Sequence, residues 1–366
     1  MKSCSLIDPL HDHRPKIAVT PPSISFFIPP SLWPDQLPTG PNQNWAGYGL
    51  GLYAWTVQTY MWLKAAGVAC ELTSQLPAEG IVFCHSNALR TVEIAPAAKR
   101  LLICMKAEAP LCAVASMHIV QNPSEASAAA ERYYIPHWPQ PQLIPRQADR
   151  GDRFEMVAFF GHENSLADEL QSRDWQIALA ERGLRGRMVV NSNHWNHYSD
   201  LDTRWNDYSD VDAIIAVRSF DTWRRRLTRG FAGKPATKLY NAWLSGTIAV
   251  LGVESAYRQT GQPGQDYVEA KSFRELLDSL DRLKADASWR RSLITQGSLR
   301  AQDYTPEKIL RKWEVFLEVI AVPAYAEWCE YSPRQRQQVL IATQSASYLD
   351  RAIRKGRGFL FEALSA

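Results

Sequence analysis

The sequence has no uninterrupted apolar run of about 18 residues, which a membrane-spanning helix would require. It also has no long block of lysine or arginine, and its net charge of +3 is too small to indicate nucleic acid as a partner. The six cysteines are scattered, mostly within apolar stretches, and none forms a C-x-x-C pair. This spacing indicates reduced core thiols and argues against a disulfide framework or a zinc site.

The composition that remains is that of a globular protein, with 46% hydrophobic and 22% charged residues. The 366 residues are enough for two ordinary domains. The first residues include Asp8, Asp12 and several prolines, whereas a secretory signal peptide begins with basic residues and an apolar run. Together with the reduced cysteines, this predicts a cytoplasmic location.

The first part of the chain alternates short apolar runs with helical patterns, which is typical of a parallel α/β layer. We predict a first domain over residues 1–135, with a loose lead-in up to residue 22 and a helix from Tyr53 to Ala66. Its strands are predicted at 24–28, 68–72, 80–84, 101–105 and 118–120.

A proline-rich stretch, YYIPHWPQPQLIPRQADR from 133 to 150, interrupts this pattern and predicts an interdomain linker over 136–152. The α/β pattern then resumes, which predicts a second domain over 153–320. The last residues, 321–366, form C-terminal helices that we expect to brace the two domains. The sequence therefore predicts an α/β protein with two Rossmann-like domains that face a cleft.

The segment KPATKLYNAWLSGTIAVLGVESAY, residues 234–257, is the most informative part of the second domain. Pro235 suits the first turn of a helix, where its missing N–H costs nothing. Ser245-Gly246 ends that helix, and the apolar run 247–251 is typical of a buried strand. Glu254-Ser255 follow the strand, at the edge where open α/β sheets bind ligands.

The predicted helix start carries Lys234, Thr237 and Lys238. Cations beside a helix N-terminus favour an anion such as a diphosphate. The alternative is a solvated helix start with ordinary lysines, but the strand and Glu254 that follow make us favour an anion site.

Two further strand ends of the second domain carry candidate binding residues. Gly161-His162 follow one strand, and Arg218 follows another. Backbone N–H groups and a guanidinium at these points would bind phosphate, although a simple turn and a surface ion pair are the alternatives. Asp210-Val211-Asp212 matches a D-x-D metal signature but precedes its strand, so we interpret it as a turn and predict no metal site.

Two α/β halves, a proline-rich linker and the 234–258 segment resemble the GT-B glycosyltransferases, and more narrowly the "group 1" transferases that use nucleotide-sugar donors. The resemblance is best over about 150–320, including DYVEAKSFRELLDSL at 266–280. It implies a donor site in the second domain, with Glu254 in the place of an acid that contacts the nucleotide ribose. Asn241 also falls in the donor-binding stretch, but many relatives have a glutamate there.

The resemblance places the acceptor in the first domain, where a glycine-rich loop runs from 42 to 51. Asn44, Trp45, Gly47 and Tyr48 would suit a sugar, which offers hydroxyls and an apolar face. The alternative is a flexible surface loop.

An inverting transferase needs a carboxylate or histidine to take the acceptor proton. Two candidates, His85 and Glu108, follow strands of the first domain, and His118 is a weaker third. Any of them could instead be structural, and a retaining enzyme needs no such base.

We therefore predict a metal-independent hexosyltransferase of polysaccharide biosynthesis, which moves a sugar from a nucleotide donor to a hydroxyl of a glycan or lipid-linked acceptor. It needs no cofactor beyond the donor substrate. The alternatives are a sugar-nucleotide epimerase, a phosphorylase or a non-catalytic carbohydrate-binding protein. A basic and apolar C-terminal end, 351–361, leaves peripheral contact with a membrane as a further alternative to bracing.

Overall fold

The structure, a computed structural model, describes residues 21–191 and 202–365. These residues form two separate sheets in which every strand pairing is parallel. The predicted lead-in lies almost entirely outside the described residues. The two-domain α/β architecture predicted from the sequence is confirmed.

The first sheet has six strands in the order β2-β1-β3-β4-β5-β6. Its central strands are apolar on both faces, and Phe26 stacks on Phe83 with ring centroids 5.0 Å apart. The strands are β1 (Ile24–Phe27), β2 (Cys70–Thr73), β3 (Gly80–His85), β4 (Arg100–Met105), β5 (Met117–Val120) and β6 (Arg132–Tyr134).

The predicted first helix is split into α1 (Gly51–Trp55) and α2 (Val57–Ala65). The break falls at Thr56, whose hydroxyl donates to the Leu52 carbonyl at 2.6 Å. A threonine that bonds back to the preceding turn in this way bends a helix, and apolar periodicity does not reveal such a bend.

The second sheet has five strands in the order β11-β10-β9-β7-β8. The strands are β7 (Met156–His162), β8 (Arg185–Asn191), β9 (Ala213–Ala216), β10 (Ile248–Leu251) and β11 (Val268–Glu269). The helices of this part are α3 (Arg173–Glu181), α4 (Thr222–Leu227), α5 (Thr237–Leu244), α6 (Ser255–Thr260), α7 (Phe273–Ala285) and α8 (Ala287–Ala301).

Each sheet reverses its strand order once. In the second sheet the chain passes from β7 to β8 on one side and then returns to β9 on the other side. In the first sheet β2 and β3 flank β1 in the same manner. Open α/β sheets bind ligands in the crevice at such a reversal, beyond the carboxyl ends of the strands. The residues after β7, β9 and β3 are therefore the ones placed to form a site.

A buried carboxylate anchors the linker to the second sheet. Asp212 accepts hydrogen bonds from Arg146 Nε at 3.0 Å and from Arg150 Nη2 at 2.7 Å. It also accepts from the backbone N–H groups of Glu155 and Met156. Asp212 thus holds the linker at the amino end of β9, which agrees with its interpretation as part of a turn.

The C-terminal helices are α9 (Pro306–Phe316), α10 (Val322–Glu330) and α11 (Pro333–Ser365), with a π-helical turn at Leu317–Ala321. Trp313 of α9 is fully buried against Phe83 of the first sheet, with ring centroids 5.7 Å apart. The chain therefore returns to the first domain at α9, before the boundary that we placed at residue 320. The sequence shows that α9 has an apolar face, but it does not show which of the two sheets this face covers.

The last helix contacts both domains. Ser347 of α11 donates to the Leu111 carbonyl at 2.7 Å, and α11 also packs beside α4 of the second domain. The predicted bracing by the C-terminal helices is thus present in the structure. Among the described residues, none of the helices combines the length and the apolarity needed to cross a membrane.

Because Trp313 fills the core of the first domain from a distant part of the chain, we expect Trp313→Ala to lower the free energy of unfolding by about 3–5 kcal/mol. Urea denaturation followed by circular dichroism measures this loss. Leu299→Ala, at an exposed position of α8, is the control and should change it by less than about 0.5 kcal/mol. An equal effect of the two substitutions would contradict the assignment of α9 to the first core.

Candidate functional site

Arg218 and Glu254 form a buried ion pair at the carboxyl edge of the second sheet. They follow the neighbouring strands β9 and β10, whose ladder pairs Ala216 with Leu251, so their side chains meet. Arg218 Nε donates to Glu254 Oε2 at 3.1 Å, and the two side chains are only 10% and 1% exposed. Burial raises the pKa of the Glu254 carboxyl, although Arg218 opposes this. Within the described part of the chain, Glu254 Oε1 receives no hydrogen bond of its own.

Lys238 lies next to this pair, in the first turn of α5. Its Nζ lies 5.5 Å from the centre of the Phe159 ring, and a Cβ at Gly161 would come within 2.9 Å of it. Burial, followed by the charge of Arg218, lowers the pKa of Lys238 to about 7. Across residues 21–191 and 202–365, no carboxylate lies within ion-pair distance of this ammonium.

Lys234 links the second domain to the first. Its ammonium is hydrogen-bonded to Oε2 of Glu108, which follows β4 of the first sheet. Burial by itself would raise the pKa of Glu108, but Lys234 and Arg218 outweigh it and hold that pKa below its usual value. Arg354 of α11 donates to the Glu108 carbonyl at 3.0 Å. The predicted base candidate is therefore an ionised carboxylate that faces the cations of the second domain.

Two residues after β5 also reach across the cleft. Gln121 Nε2 donates to the Gly233 carbonyl at 2.8 Å, and Asn122 Nδ2 donates to Ser255 Oγ at 2.9 Å. Gln121 and Asn122 are not among the site residues predicted from the sequence. The available signal was their position directly after an apolar strand, the same signal that selected Gly161 and Arg218.

The other predicted donor-binding residues surround this group. His162 ends β7, with its ring edge-on to Trp205 at 5.3 Å, and burial together with Lys238 lowers its pKa. Thr237 Oγ1 accepts from the Tyr240 hydroxyl at 3.2 Å. Asn241 Oδ1 accepts from the backbone N–H of Gln140 at 3.1 Å, so this amide holds the linker against α5.

The predicted acceptor-side loop is packed rather than open. Trp45 lies edge-on to the buried Tyr48 at 5.1 Å, and a Cβ at Gly47 would overlap the Trp45 indole. Asn44 Nδ2 donates to the Thr203 carbonyl of the second domain at 2.9 Å. The interpretation of this loop as a flexible surface segment does not fit such packing, and its role in acceptor binding stays a prediction.

The other base candidate, His85, ends β3 in a buried position. Its Nδ1 accepts from the Asn87 backbone N–H at 3.1 Å, and its Nε2 has no partner among the described residues. Burial, with smaller effects of Arg90 and His137, lowers its pKa to about 3, so the ring is neutral. His118 Nε2 instead accepts from the Cys112 backbone N–H at 2.9 Å, which makes it a structural residue.

In the described ranges, no group of three or more His, Cys, Asp or Glu side chains is arranged to hold a metal ion. A second D-x-D sequence, Asp200-Leu201-Asp202, is similarly not predicted to bind metal, and its first two residues lie outside those ranges. Metal independence stays a prediction.

The Arg218–Glu254 pair generates a stability prediction. Glu254→Ala leaves a buried guanidinium beside two lysines, so we expect the free energy of unfolding to fall by about 3–5 kcal/mol. Glu108→Ala removes a half-exposed partner and should cost less than about 1 kcal/mol. Chemical denaturation of both variants measures the difference, and a Glu254→Ala protein as stable as the Glu108→Ala protein would contradict the buried geometry.

No protein-family model and no curated protein matches this chain. Solved structures do match it. Sucrose-phosphate synthase from Thermosynechococcus elongatus superposes with a TM-score of 0.54 at 12% identity, over 82% of this chain and 99% of that chain. HepE of Anabaena, in complex with UDP-glucose, has a TM-score of 0.47 at 11% identity, over 82% and 100% of the two chains. AviGT4, a glycosyltransferase involved in avilamycin A biosynthesis, has a TM-score of 0.44 at 13% identity, over 81% and 97%.

At these identities the similarity concerns the fold. Two parallel sheets, each followed by helices and joined by a linker and C-terminal helices, are the arrangement that the sequence predicted. The chain has the GT-B fold of the glycosyltransferases, as its sequence predicts.

Proposed function

We propose that this chain is a glycosyltransferase that takes a sugar from a nucleoside-diphosphate sugar and transfers it to an acceptor hydroxyl. The observation that carries the proposal is the Lys238 ammonium, which lies in the cleft without an acidic partner among the described residues. Arg218 and Lys234 lie close enough to lower its pKa. Among the described residues, three cations thus face two carboxylates, Glu254 and Glu108, and one positive charge is left over.

A diphosphate supplies the charge that this site is missing. Removing an ammonium from water is costly unless an anion compensates it, and Lys238 has the Phe159 ring and the Gly161 backbone close to it. A glycine at 161 lets the lysine approach the end of β7 closely. A diphosphate at this point would also lie at the N-terminal turn of α5, where backbone N–H groups favour anions.

Glu254 supports a nucleoside beside the diphosphate. Its Oε2 accepts from Arg218 Nε at 3.1 Å, and Oε1 lies 3.1 Å from the same nitrogen without a hydrogen bond of its own within the described ranges. A ribose hydroxyl could donate to this oxygen, as the resemblance to the group 1 transferases implies. Ser255, which follows, accepts from Asn122 and so ties the same loop to the first domain.

The reaction breaks the bond between the anomeric carbon and the β-phosphate oxygen, and the electron pair leaves with the nucleoside diphosphate. The acceptor oxygen forms the new bond to the anomeric carbon and gives up its proton. Cations beside the leaving group stabilise its developing charge without reorganising, and we assign this role to Lys238, Lys234 and Arg218. Glu108, ionised and at the cleft, and the neutral His85 are the proposed candidates for receiving the proton.

The proposal is tested by thermal unfolding in the presence of nucleoside mono- and diphosphates and of nucleotide sugars. A ligand that binds only the folded state stabilises it by about 2.7 kcal/mol at about 100 times its dissociation constant. We expect at least one diphosphate to raise the melting temperature, and a matching sugar nucleotide to be consumed when glycan or lipid acceptors are added. If no nucleotide shifts the transition, the proposal fails.

Lys238→Ala should weaken binding of the stabilising nucleoside diphosphate by about 10- to 100-fold, because a charge-assisted contact of about 1.5–3 kcal/mol is lost. Isothermal titration calorimetry measures the affinity. Lys308→Ala, which removes an exposed lysine of α9, is the matched control and should bind as the wild type does.

The lowered pKa of Lys238 predicts a pH dependence with a definite sign. Below its pKa of about 7 the side chain is charged and attracts a diphosphate, whereas above it the neutral amine does not. Between pH 6 and pH 8.5 the wild-type affinity should therefore fall by about tenfold relative to Lys238→Arg, whose guanidinium stays charged. Comparison with the arginine variant at each pH cancels the titration of the nucleotide itself. A constant ratio of the two affinities would exclude Lys238 as the titrating group.

A further inference from the structure

Helix α11 presents a polar face to the body of the protein. Its inward side chains recur at the spacing of one helix face, and Ser347, at the centre, is buried. Ser347 and Asp350 bond to the two backbone groups of Leu111, and Arg354 bonds to the Glu108 carbonyl. The side chains of this inward face are Thr343, Ser347, Asp350, Arg354 and Arg357.

Near the start of α11, Val339 and Leu340 pack against the core of the first domain. The large apolar side chains from Ile341 to Ile353 point away from the protein. Tyr348 is 78% exposed, Leu349 is 60% exposed and Ile353 is 42% exposed, and Ile341, seven residues before Tyr348, is exposed as well. At about 100° per residue, these positions lie on the side of the helix opposite to Ser347. We call Ile341, Tyr348, Leu349 and Ile353 the outer face. A helix that only braced two domains would have the reverse arrangement.

The charge around the outer face has one sign. Residues 333–357 contain six arginine or lysine residues and one acid, Asp350, which Arg354 already binds. Arg354 and Arg357 lie on the inward face, whereas Arg334, Arg351 and Lys355 are exposed. The neighbouring helix α4 adds Arg224, Arg225 and Arg226, together with an exposed Trp223. Exposed aromatic and aliphatic groups flanked by cations match a surface with an apolar interior and an anionic boundary.

We propose that the outer face of α11 lies on an anionic lipid membrane, with the helix parallel to the bilayer plane. The apolar side chains would enter the boundary between headgroups and acyl chains, while Arg351 and Lys355 on the same helix stay at the headgroups. The inward face needs no such partner, because its polar groups are bonded within the protein. This inference goes beyond the proposed transfer reaction and does not depend on it.

The position of the outer face on α11 brings the proposed membrane contact close to the cleft. Arg354, on the inward side of the same helix, bonds to Glu108, which in turn bonds to Lys234. One helix therefore separates the proposed membrane surface from the proposed donor site. An acceptor carried in the membrane would enter from this side.

Flotation of the full chain with lipid vesicles tests the proposal without any donor or acceptor. We expect binding to phosphatidylcholine vesicles that contain about 30 mol% phosphatidylglycerol at about 0.1 M salt, since each nearby cation adds to the attraction. Binding should be at least about tenfold weaker with phosphatidylcholine alone, and weaker again at about 0.5 M salt.

The deciding variant combines Tyr348→Gln, Leu349→Gln and Ile353→Gln, and it should lose at least about tenfold in vesicle affinity with an unchanged melting temperature. The matched control combines Ile177→Gln, Met188→Gln and Leu299→Gln, which are comparably exposed positions of the second domain, and it should bind as the wild type does. Trp223→Ala tests the contribution of α4 and should weaken binding to a smaller extent.

Three results would overturn the proposal. In the first, the wild type does not float with anionic vesicles. In the second, the control variant loses as much affinity for the vesicles as the outer-face variant does. In the third, light scattering finds a wild-type dimer that the outer-face variant cannot form while vesicle affinity is the same for both. That result would assign the face to a second copy of the chain. Because none of these measurements uses a nucleotide, they leave the proposed transfer reaction untouched.

Discussion

The structure of the cleft depends on one ammonium that has no counter-ion among the described residues. Lys238 lies near the Phe159 ring and the backbone of Gly161, and the cleft carboxylates of the described chain, Glu254 and Glu108, are occupied by Arg218 and Lys234. Burial and the neighbouring cations bring its pKa down to about 7, and the charges of Glu254 and Glu108 offset this only in part. Such a site is strained electrostatically when empty and is relieved by an anion, and this asymmetry is a means of binding a diphosphate tightly without a metal.

This unfavourable electrostatic arrangement persists because the contacts that hold the two domains together do not involve the Lys238 ammonium. Tyr240 and Asn241 of α5 bond to the linker at His137 and Gln140. Gln121 and Asn122 cross the cleft as neutral hydrogen-bond donors. The ion pair across the cleft, between Lys234 and Glu108, is half-exposed and therefore contributes little energy. A diphosphate could replace Glu108 as the partner of Lys234 at a small cost in free energy. The neutral hydrogen bonds would meanwhile keep the facing edges of the two sheets aligned.

The sequence was informative wherever a local pattern has one physical solution. An apolar run followed by a polar residue marks the carboxyl end of a buried strand, so the sequence alone places Arg218, Glu254 and Gly161-His162 at that edge of the sheet. The same rule applies to Gln121 and Asn122, whose neutral amides do not by themselves indicate an anion site. Periodicity located the apolar face of α9, yet it contains no information about which of two sheets Trp313 covers. Which sheet α9 covers depends on packing between residues that are far apart in the sequence. The local spacing of apolar residues carries no information about such packing.

The rotation of α11 about its axis follows from the groups that it meets on the body of the protein. Its inward face meets a loop, at Leu111, that offers backbone N–H and carbonyl groups instead of apolar side chains. Buried backbone groups must be paired, so the helix turns its serine and aspartate inward. Tyr348 and Leu349 are then left outside, where exposed apolar area has an unfavourable free energy of about 25 cal/mol per Å² in water. A covering surface recovers this energy, and because Arg354 lies on the inward side against Glu108, the helix that contacts the covering surface also forms part of the cleft.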